Sequence, residues 1–134
     1  MAKEAFVIGK RKTAKARAVA RAGTGKVAIN GKPIEFFAPR YMNMRIMEPV
    51  IIAGEIAEKT DISVNVTGGG VSGQSDASRQ AIAKALVDFS KNKTLRQKFM
   101  KYDRTMLSFD SRRNEPAKPG HASKPRSHKQ KSKR

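Results

Sequence analysis

The sequence predicts a two-layer α/β sandwich, one sheet covered on one face by helices, followed by an extended basic C-terminal tail. Three observations carry the prediction. Apart from Met1, every large apolar residue lies between Phe6 and Phe109, a stretch long enough to bury a modest core. Within it the apolar spacing alternates between a period of two and a helical period, in the order βββ-α-β-α-α. Beyond Phe109 the only apolar side chains are Ala117 and Ala122. The expected division is a globular body at residues 1–110 and a tail at residues 111–134.

The elements follow in order. Ala5, Phe6, Val7 and Ile8 read as a short buried strand ended by Gly9. Residues 13–22 alternate strictly, with Ala14, Ala16, Ala18, Ala20 and Ala22 on one face and Thr13, Lys15, Arg17, Val19 and Arg21 on the other. Alanine favours helices, but a period of two places small residues against a core and cations outside, which is a strand. Gly23-Thr24-Gly25 is a turn. Residues 26–29 make a third strand, and Asn30-Gly31 is a strong hairpin dipeptide. Residues 40–59 turn helical, with Met44, Met47, Ile51 and Ile52 among the apolar positions. Pro49 is expected to break or kink that helix, because it lacks an amide and clashes with the preceding turn. Ile62, Val64 and Val66 then alternate with Ser63, Asn65 and Thr67 as a half-exposed strand, ended by Gly68-Gly69-Gly70. Ser75 or Asp76 is expected to cap a helix whose buried stripe is Ile82, Ala85, Leu86 and Phe89. A shorter basic helix is expected over residues 94–102.

Charge sets the partner class. The net charge is +18, from 29 Lys and Arg against 11 Asp and Glu, and a charge that large opposes compaction unless an opposite charge meets it. Its placement is uneven: residues 1–26 hold eight cations and one acid, residues 27–110 twelve and nine, residues 111–134 nine and one. The tail, with Pro116, Pro119, Pro125 and Gly120, cannot offset its ordering entropy by burial, so it is expected to be disordered until a partner orders it. Fully extended, the chain beyond Phe109 spans roughly 80 Å. A polyphosphate fits this pattern, because neutralising phosphates releases counterions. A membrane surface would require a basic amphipathic helix or a lipid anchor, and neither pattern is present. There is no cysteine, which excludes disulfides and Cys-based zinc sites. No 18-residue apolar run and no signal-peptide core occur, so the expectation is a soluble cytoplasmic protein without a membrane partner.

Few residues argue for catalysis. Gly68-Gly69-Gly70-Val71-Ser72-Gly73 matches G-x-G-x-x-G between a strand and a helix. The ribose-binding acid at the end of a second strand is missing, as is the second half of a dinucleotide fold. A tight turn offering amides to a phosphate is the better reading. Gly23-Thr24-Gly25-Lys26 lacks the spacing of a phosphate loop. His121 and His128 stand in the tail, without a rigid shell to position them as base or metal ligand. No enzymatic activity, cofactor or metal site is expected.

The run from Gly9 to Arg17 is different. Lys10, Arg11 and Lys12 sit at a strand-to-strand connection, and Lys15, Arg17 and Arg21 continue along one strand face. Cations about 7 Å apart on one face match the phosphate spacing of a nucleic-acid backbone. The plain alternative is a solvated face with edge-protecting lysines, but such a face mixes both signs, and no acid occurs between Phe6 and Ile34. Only eight aromatic residues and no Trp are present, so phosphate and shape recognition is expected over base-specific readout.

Five motifs occur in order: Gly9-Lys10-Arg11-Lys12-Thr13-Ala14; Val27-Ala28-Ile29-Asn30-Gly31; Gly68-Gly69-Gly70-Val71-Ser72-Gly73-Gln74; Asp110-Ser111-Arg112-Arg113-Asn114-Glu115-Pro116 with Lys118-Pro119; and Gln130-Lys131-Ser132-Lys133-Arg134. Together they closely resemble the small-subunit ribosomal protein nine family in its archaeal form, over the whole chain. The resemblance implies a sandwich related to the second domain of ribosomal protein five, with a left-handed crossover. It implies a structural constituent of the small ribosomal subunit in the cytoplasm, bound to ribosomal RNA of the subunit head beside neighbouring ribosomal proteins. It also implies a tail reaching peptidyl-site tRNA during translation. On that resemblance Lys10, Arg11, Lys12, Lys15, Arg17, Arg21, Arg112, Arg113, Lys118, Lys124 and Arg126 are the ribosomal-RNA candidates, and Lys131, Lys133 and Arg134 the tRNA candidates. One departure is the tail segment Ser123-Lys124-Pro125-Arg126-Ser127-His128-Lys129, where many relatives carry an arginine-dense run; lysine is a point charge and arginine a bidentate fork. The rival readings are a ribonuclease P-type RNA-associated subunit, a nucleoid-type DNA binder, and a small phosphotransferase built on the glycine loop. Cosedimentation separates the first two from the ribosomal reading, and nucleotide calorimetry tests the third.

Overall fold

The computed structural model describes residues 3–121 and 124–126. The elements are β1 (Glu4–Arg11), β2 (Ala14–Ala22), β3 (Val27–Ile29), β4 (Lys32–Pro33), α1 (Arg40–Ala53), α2 (Glu55–Glu58), β5 (Thr60–Thr67), α3 (Val71–Ser90) and α4 (Lys93–Tyr102), with single 3-10 turns at Ile34–Phe36 and Arg104–Met106. The five strands form one sheet in the order β1-β2-β5-β3-β4. Neighbours pair antiparallel, except that β3 and β5 run parallel. The expected α/β sandwich is present, with one more strand and one more helix than periodicity indicated. Two-residue β4 and four-residue α2 are too short for a period to register.

Small residues decide how the layers meet. Ala14, Ala16, Ala18 and Ala20 of β2 are buried on one face, and Ala77, Ala81 and Ala85 of α3 are buried at helical spacing. Small side chains on both elements let α3 lie close against the sheet, and it packs on β1, β2 and β5 while α1 packs on its other side. Gly9 marks the closest approach. A Cβ there would collide with the Ala77 carbonyl oxygen and stand 2.7 Å from the Ala81 amide nitrogen. Around this seam the large side chains Phe99, Ile29, Ile46, Ile82, Leu86, Met106 and Val64 complete the core. Asn30 and Gly31 both take positive φ, 51° and 77°, in the two-residue β3–β4 turn, the geometry this dipeptide favours.

Five local expectations are corrected. The first strand is not buried throughout and does not end at Gly9; it runs to Arg11 and alternates, leaving Phe6 72% and Ile8 50% exposed. It is an edge strand of a sheet covered on one face only, so alternate residues must face outward. The long helix does not break at Pro49, which is buried inside α1; the break falls at Gly54, whose φ of 54° and ψ of −120° leave helical geometry. The core-facing residues of α1 are Asn43, Ile46, Pro49 and Ala53, while Met44 and Ile51 are exposed. Lastly, α3 begins at Val71, before either proposed cap, so Ser72 and Gly73 lie inside its first turn. The Ser75 hydroxyl instead donates to the Val71 carbonyl at 2.8 Å. The stripe of α3 is also wider than expected, because a helix packed between a sheet and another helix buries two sides; Phe89 is only partly buried.

Candidate nucleic-acid interface

The strand registers lay the outward residues of the sheet in rows. Lys10 stands opposite Lys15 and then Thr67, Ile8 opposite Arg17 and Asn65, Phe6 opposite Val19 and Ser63, and Glu4 opposite Arg21 and Asp61. No helix among the described residues covers this face. Lys10, Lys15 and Arg17 are exposed, and no ion pair among the described residues engages them. The acids gather at the far end of the rows, where they are occupied. Glu4 pairs with Arg21 at 2.9 Å. Asp61 accepts from the Lys26 and Thr24 amides at 2.9 and 2.8 Å, and those bonds hold its carboxyl below its ordinary range. The open face therefore grades from neutralised charge at one end to unpaired cations at the other.

Beyond the cationic end lies the β1–β2 turn. Lys12 adopts the left-handed region (φ 53°), exposing its side chain at the tip. The glycine segment fits beneath this turn: a Cβ on Gly68 would stand 2.6 Å from the Thr13 carbonyl oxygen. The tail root runs alongside. Arg113 donates to the Lys12 carbonyl, and its guanidinium lies 5.6 Å above the Phe109 ring. Lys12, Thr13, Gly69, Gly70, Ser72 and Arg113 thus share the rim of one depression of about 450 Å³.

Arg11 differs from its neighbours. It faces the covered side, pairs with Asp76 at 3.5 Å and with Asp110, and its side chain is only 17% exposed. Arg45 shares Asp76 at 3.0 Å. Asp110 also receives the Arg112 Nε and Nη2 groups and the Arg112 amide; these bonds first, and then the charge of Arg11, hold its carboxyl well below the usual range against some desolvation. Asp110 also forms a parallel β-bridge with Arg11, so the chain at Asp110 is held beside the hairpin.

Several functional-looking polar groups were not legible in the sequence. Arg79 is buried within α3, donating to Glu48 at 2.7 Å and to Asp103 at 2.9 Å. Burial raises the Asp103 pKa, but bonds from the Thr105 hydroxyl and amide and from Arg79 outweigh it and leave the group lowered. Gln80 accepts from the Lys10 amide at 2.8 Å and donates to the Ser108 carbonyl at 2.7 Å. Lys84 donates to the Ile8 carbonyl at 3.1 Å, and burial lowers its pKa. The available signal was a polar pair, Arg79-Gln80, one turn before the apolar stripe of α3, and it is faint beside the charge runs.

Of the tail candidates, Arg112 is exposed but shared with Asp110, Lys118 and Lys124 are exposed, and Arg126 is paired with Glu115 at 3.0 Å. Lys131, Lys133 and Arg134 lie outside the described residues. Among the described residues, no group of three His, Asp or Glu could hold a metal ion, and no helix is long and apolar enough to cross a membrane. A groove of about 1270 Å³ lies away from these cations, on the helical side, and includes the exposed Phe36, Tyr41, Met44, Ile51 and Tyr102.

An α/β body whose open sheet face carries Lys10, Lys15 and Arg17 without ion pairs among the described residues is that of a small basic α/β protein. The chain belongs to the ribosomal protein S9 family: the family described as Ribosomal protein S9/S16 matches residues 9–134. It is similar to the small ribosomal subunit protein uS9 of Methanococcus maripaludis strain C7, 50% identical over 97% of this chain and 98% of that protein. The uS9 of Methanococcus vannielii is likewise 50% identical over the same shares. It is thus a structural, non-catalytic ribosomal protein of archaeal type, which sets aside the phosphotransferase reading of the glycine segment.

Proposed function

We propose that the body binds ribosomal RNA of the small-subunit head through Lys10, Lys12, Lys15 and Arg17, beside neighbouring ribosomal proteins. The observation that carries this reading is the open sheet face, where three unpaired cations lead to Lys12 at the hairpin tip. Unpaired cations on a rigid strand face meet phosphates without first breaking an internal pair, so their full charge is available for counterion release. Arg113 extends the same edge. Arg11, held against Asp76 and Asp110, serves the interface by fixing the hairpin rather than by touching phosphate, while Arg21, exposed despite its pair with Glu4, stays among the RNA-facing cations.

The tail, residues 111–134, completes the proposal as a segment disordered when free. It reaches peptidyl-site tRNA through Lys131, Lys133 and Arg134, while Arg112, Lys118, Lys124 and Arg126 follow ribosomal RNA on the way. The exposure of residues 111–120 and the composition of nine cations to one acid support this division. On the same reading the β3–α1–β5 connection is the left-handed crossover of the second domain of ribosomal protein five.

The test is cosedimentation of the full chain with small-subunit particles, compared with a Lys15→Glu/Arg17→Glu variant. Wild-type protein is expected to sediment with the particles and the variant to be released at lower salt. Migration away from particles in low salt overturns the proposal. For the tail, removing residues 132–134 is expected to speed tRNA dissociation from the peptidyl site with assembly intact; an unchanged rate refutes the tail contact.

A further inference from the structure

We infer that Phe6 is a stacking platform for one unpaired nucleobase, a base-contact site on a face that charge alone would assign to phosphates. The inference rests on the ribosomal-RNA reading above and deepens it.

Phe6 is 72% exposed in the open face of the sheet. Across from it stands Val19, only half-covered, and two residues along stands Ile8, half exposed. No cation among the described residues lies over its ring; Lys3 covers Phe89 and Arg113 covers Phe109. Among the described residues the ring is therefore free of any cation and largely open to solvent. An exposed phenylalanine on an edge strand is a liability for aggregation, so its position asks for an occupant.

The surrounding charge specifies which occupant. Arg17 is the diagonal neighbour of Phe6 across the β1–β2 pair, a separation of about 7–8 Å, and Lys10 and Lys15 form the next row. A nucleotide whose base lies flat on Phe6 can thus place a phosphate at Arg17 and the adjoining one at Lys15 or Lys10. Ser63 and Asn65 continue the same rows with donors and acceptors for sugar or base edges. A protein partner fits less well. The apolar centre consists of Phe6, Ile8 and part of Val19, small for a partner burying roughly 800 Å² on each side, and the unpaired charge beside it, on Lys10, Lys15 and Arg17, is of one sign, since Glu4 in the row on the other side is paired with Arg21. Stacking tolerates any base, because every base offers a π face, so the site selects an unpaired nucleotide without naming it.

The experiment compares the full chain with Phe6→Ala, Phe6→Leu and Phe6→Tyr in filter binding to its own small-subunit ribosomal RNA over a salt series. Melting temperatures should match wild type, since the side chain lies outside the core. Phe6→Ala and Phe6→Leu are expected to weaken binding by roughly 5- to 100-fold with an unchanged salt slope, because every phosphate keeps its cation. Phe6→Tyr, which keeps the ring, is expected to bind as wild type. Wild-type affinity in Phe6→Leu overturns the inference, reducing the contact to apolar packing or to a protein neighbour. A loss in Phe6→Tyr equal to that in Phe6→Ala overturns it too, by tying the effect to the strand rather than the ring. If wild-type protein itself shows no salt-dependent binding, the ribosomal-RNA proposal fails together with this one; if wild type binds and the variants do not differ, only the stacking site fails.

Discussion

Arg79 and Arg17 are the same side chain put to opposite use. Arg79 is buried in α3, with both ends of its guanidinium held by Glu48 and Asp103. Arg17 stands outward on β2 with no ion pair among the described residues. Within the helical layer Arg79 thus holds its charge against Glu48 and Asp103, whereas Lys10, Lys15 and Arg17 of the open sheet face carry no ion pair among the described residues. A net charge of +18 is carried by specific surfaces and is not a uniform property of the fold. The two arrangements make opposite demands: a buried pair must be complete to be tolerated, whereas an interface must be incomplete to be useful.

The largest effect that would break this comparison comes from its buried half. Arg79→Leu leaves Glu48 and Asp103 facing a site with no cation, and removing one partner of a buried pair costs about 3–5 kcal/mol. Urea denaturation should show that loss; stability within about 1 kcal/mol of wild type would mean that the carboxylates relax into water. Arg11→Gln follows. It strips Asp76 and Asp110 of a shared partner, so the melting temperature should fall by several degrees while the salt slope of RNA binding stays close to wild type. A flattened slope would return Arg11 to the phosphate-binding set.

On the open face the expectation reverses. Lys15→Glu/Arg17→Glu should leave urea stability within about 0.5 kcal/mol of wild type and reduce the slope of log affinity against log salt by roughly 2, one unit for each phosphate left without its cation. An unchanged slope would make the row a solvated face. The smallest effect concerns acid. Asp61, Asp103 and Asp110 all titrate below their ordinary range in the folded protein. The unfolded chain takes up these protons first, so the stability they contribute is complete above about pH 5 and is lost as pH falls below about 4, through their folded pKa values. A melting profile flat from about pH 7 to 5 and falling below about 4 is expected. In Asp110→Asn the fall should be shallower, because one of the depressed groups no longer titrates.

What could be read from residues alone followed from local periodicity. The alternation of Ala14 to Ala20 against Lys15 to Arg21 predicted both the strand and its cationic face, because period two is a property of the backbone. Asn30-Gly31 predicted its turn for the same reason, since its positive φ values are local. Pro49 does not break α1, because proline's penalty is local while its burial against the core is not. Phe6 and Ile8 depart from expectation in the other direction: an apolar run has no way of signalling that its sheet is covered on one face only. Arg11 shows the limit most clearly. In a run of three cations it is chemically equal to Lys10 and Lys12, yet it points to the covered side, where Asp76 and Asp110 arrive from 65 and 99 residues away in the chain.

The sequence by itself therefore determined the order of the longer elements, the alanine face of β2 and the surplus of positive charge, along with the family resemblance its motifs carry. Tertiary structure alone decided which cations are neutralised within the body and which face outward, and that Phe6 stands bare among the latter. The physical reason is range. Backbone period and turn geometry are set within a few residues, whereas an ion pair is set by whichever carboxylate the fold brings within about 4 Å.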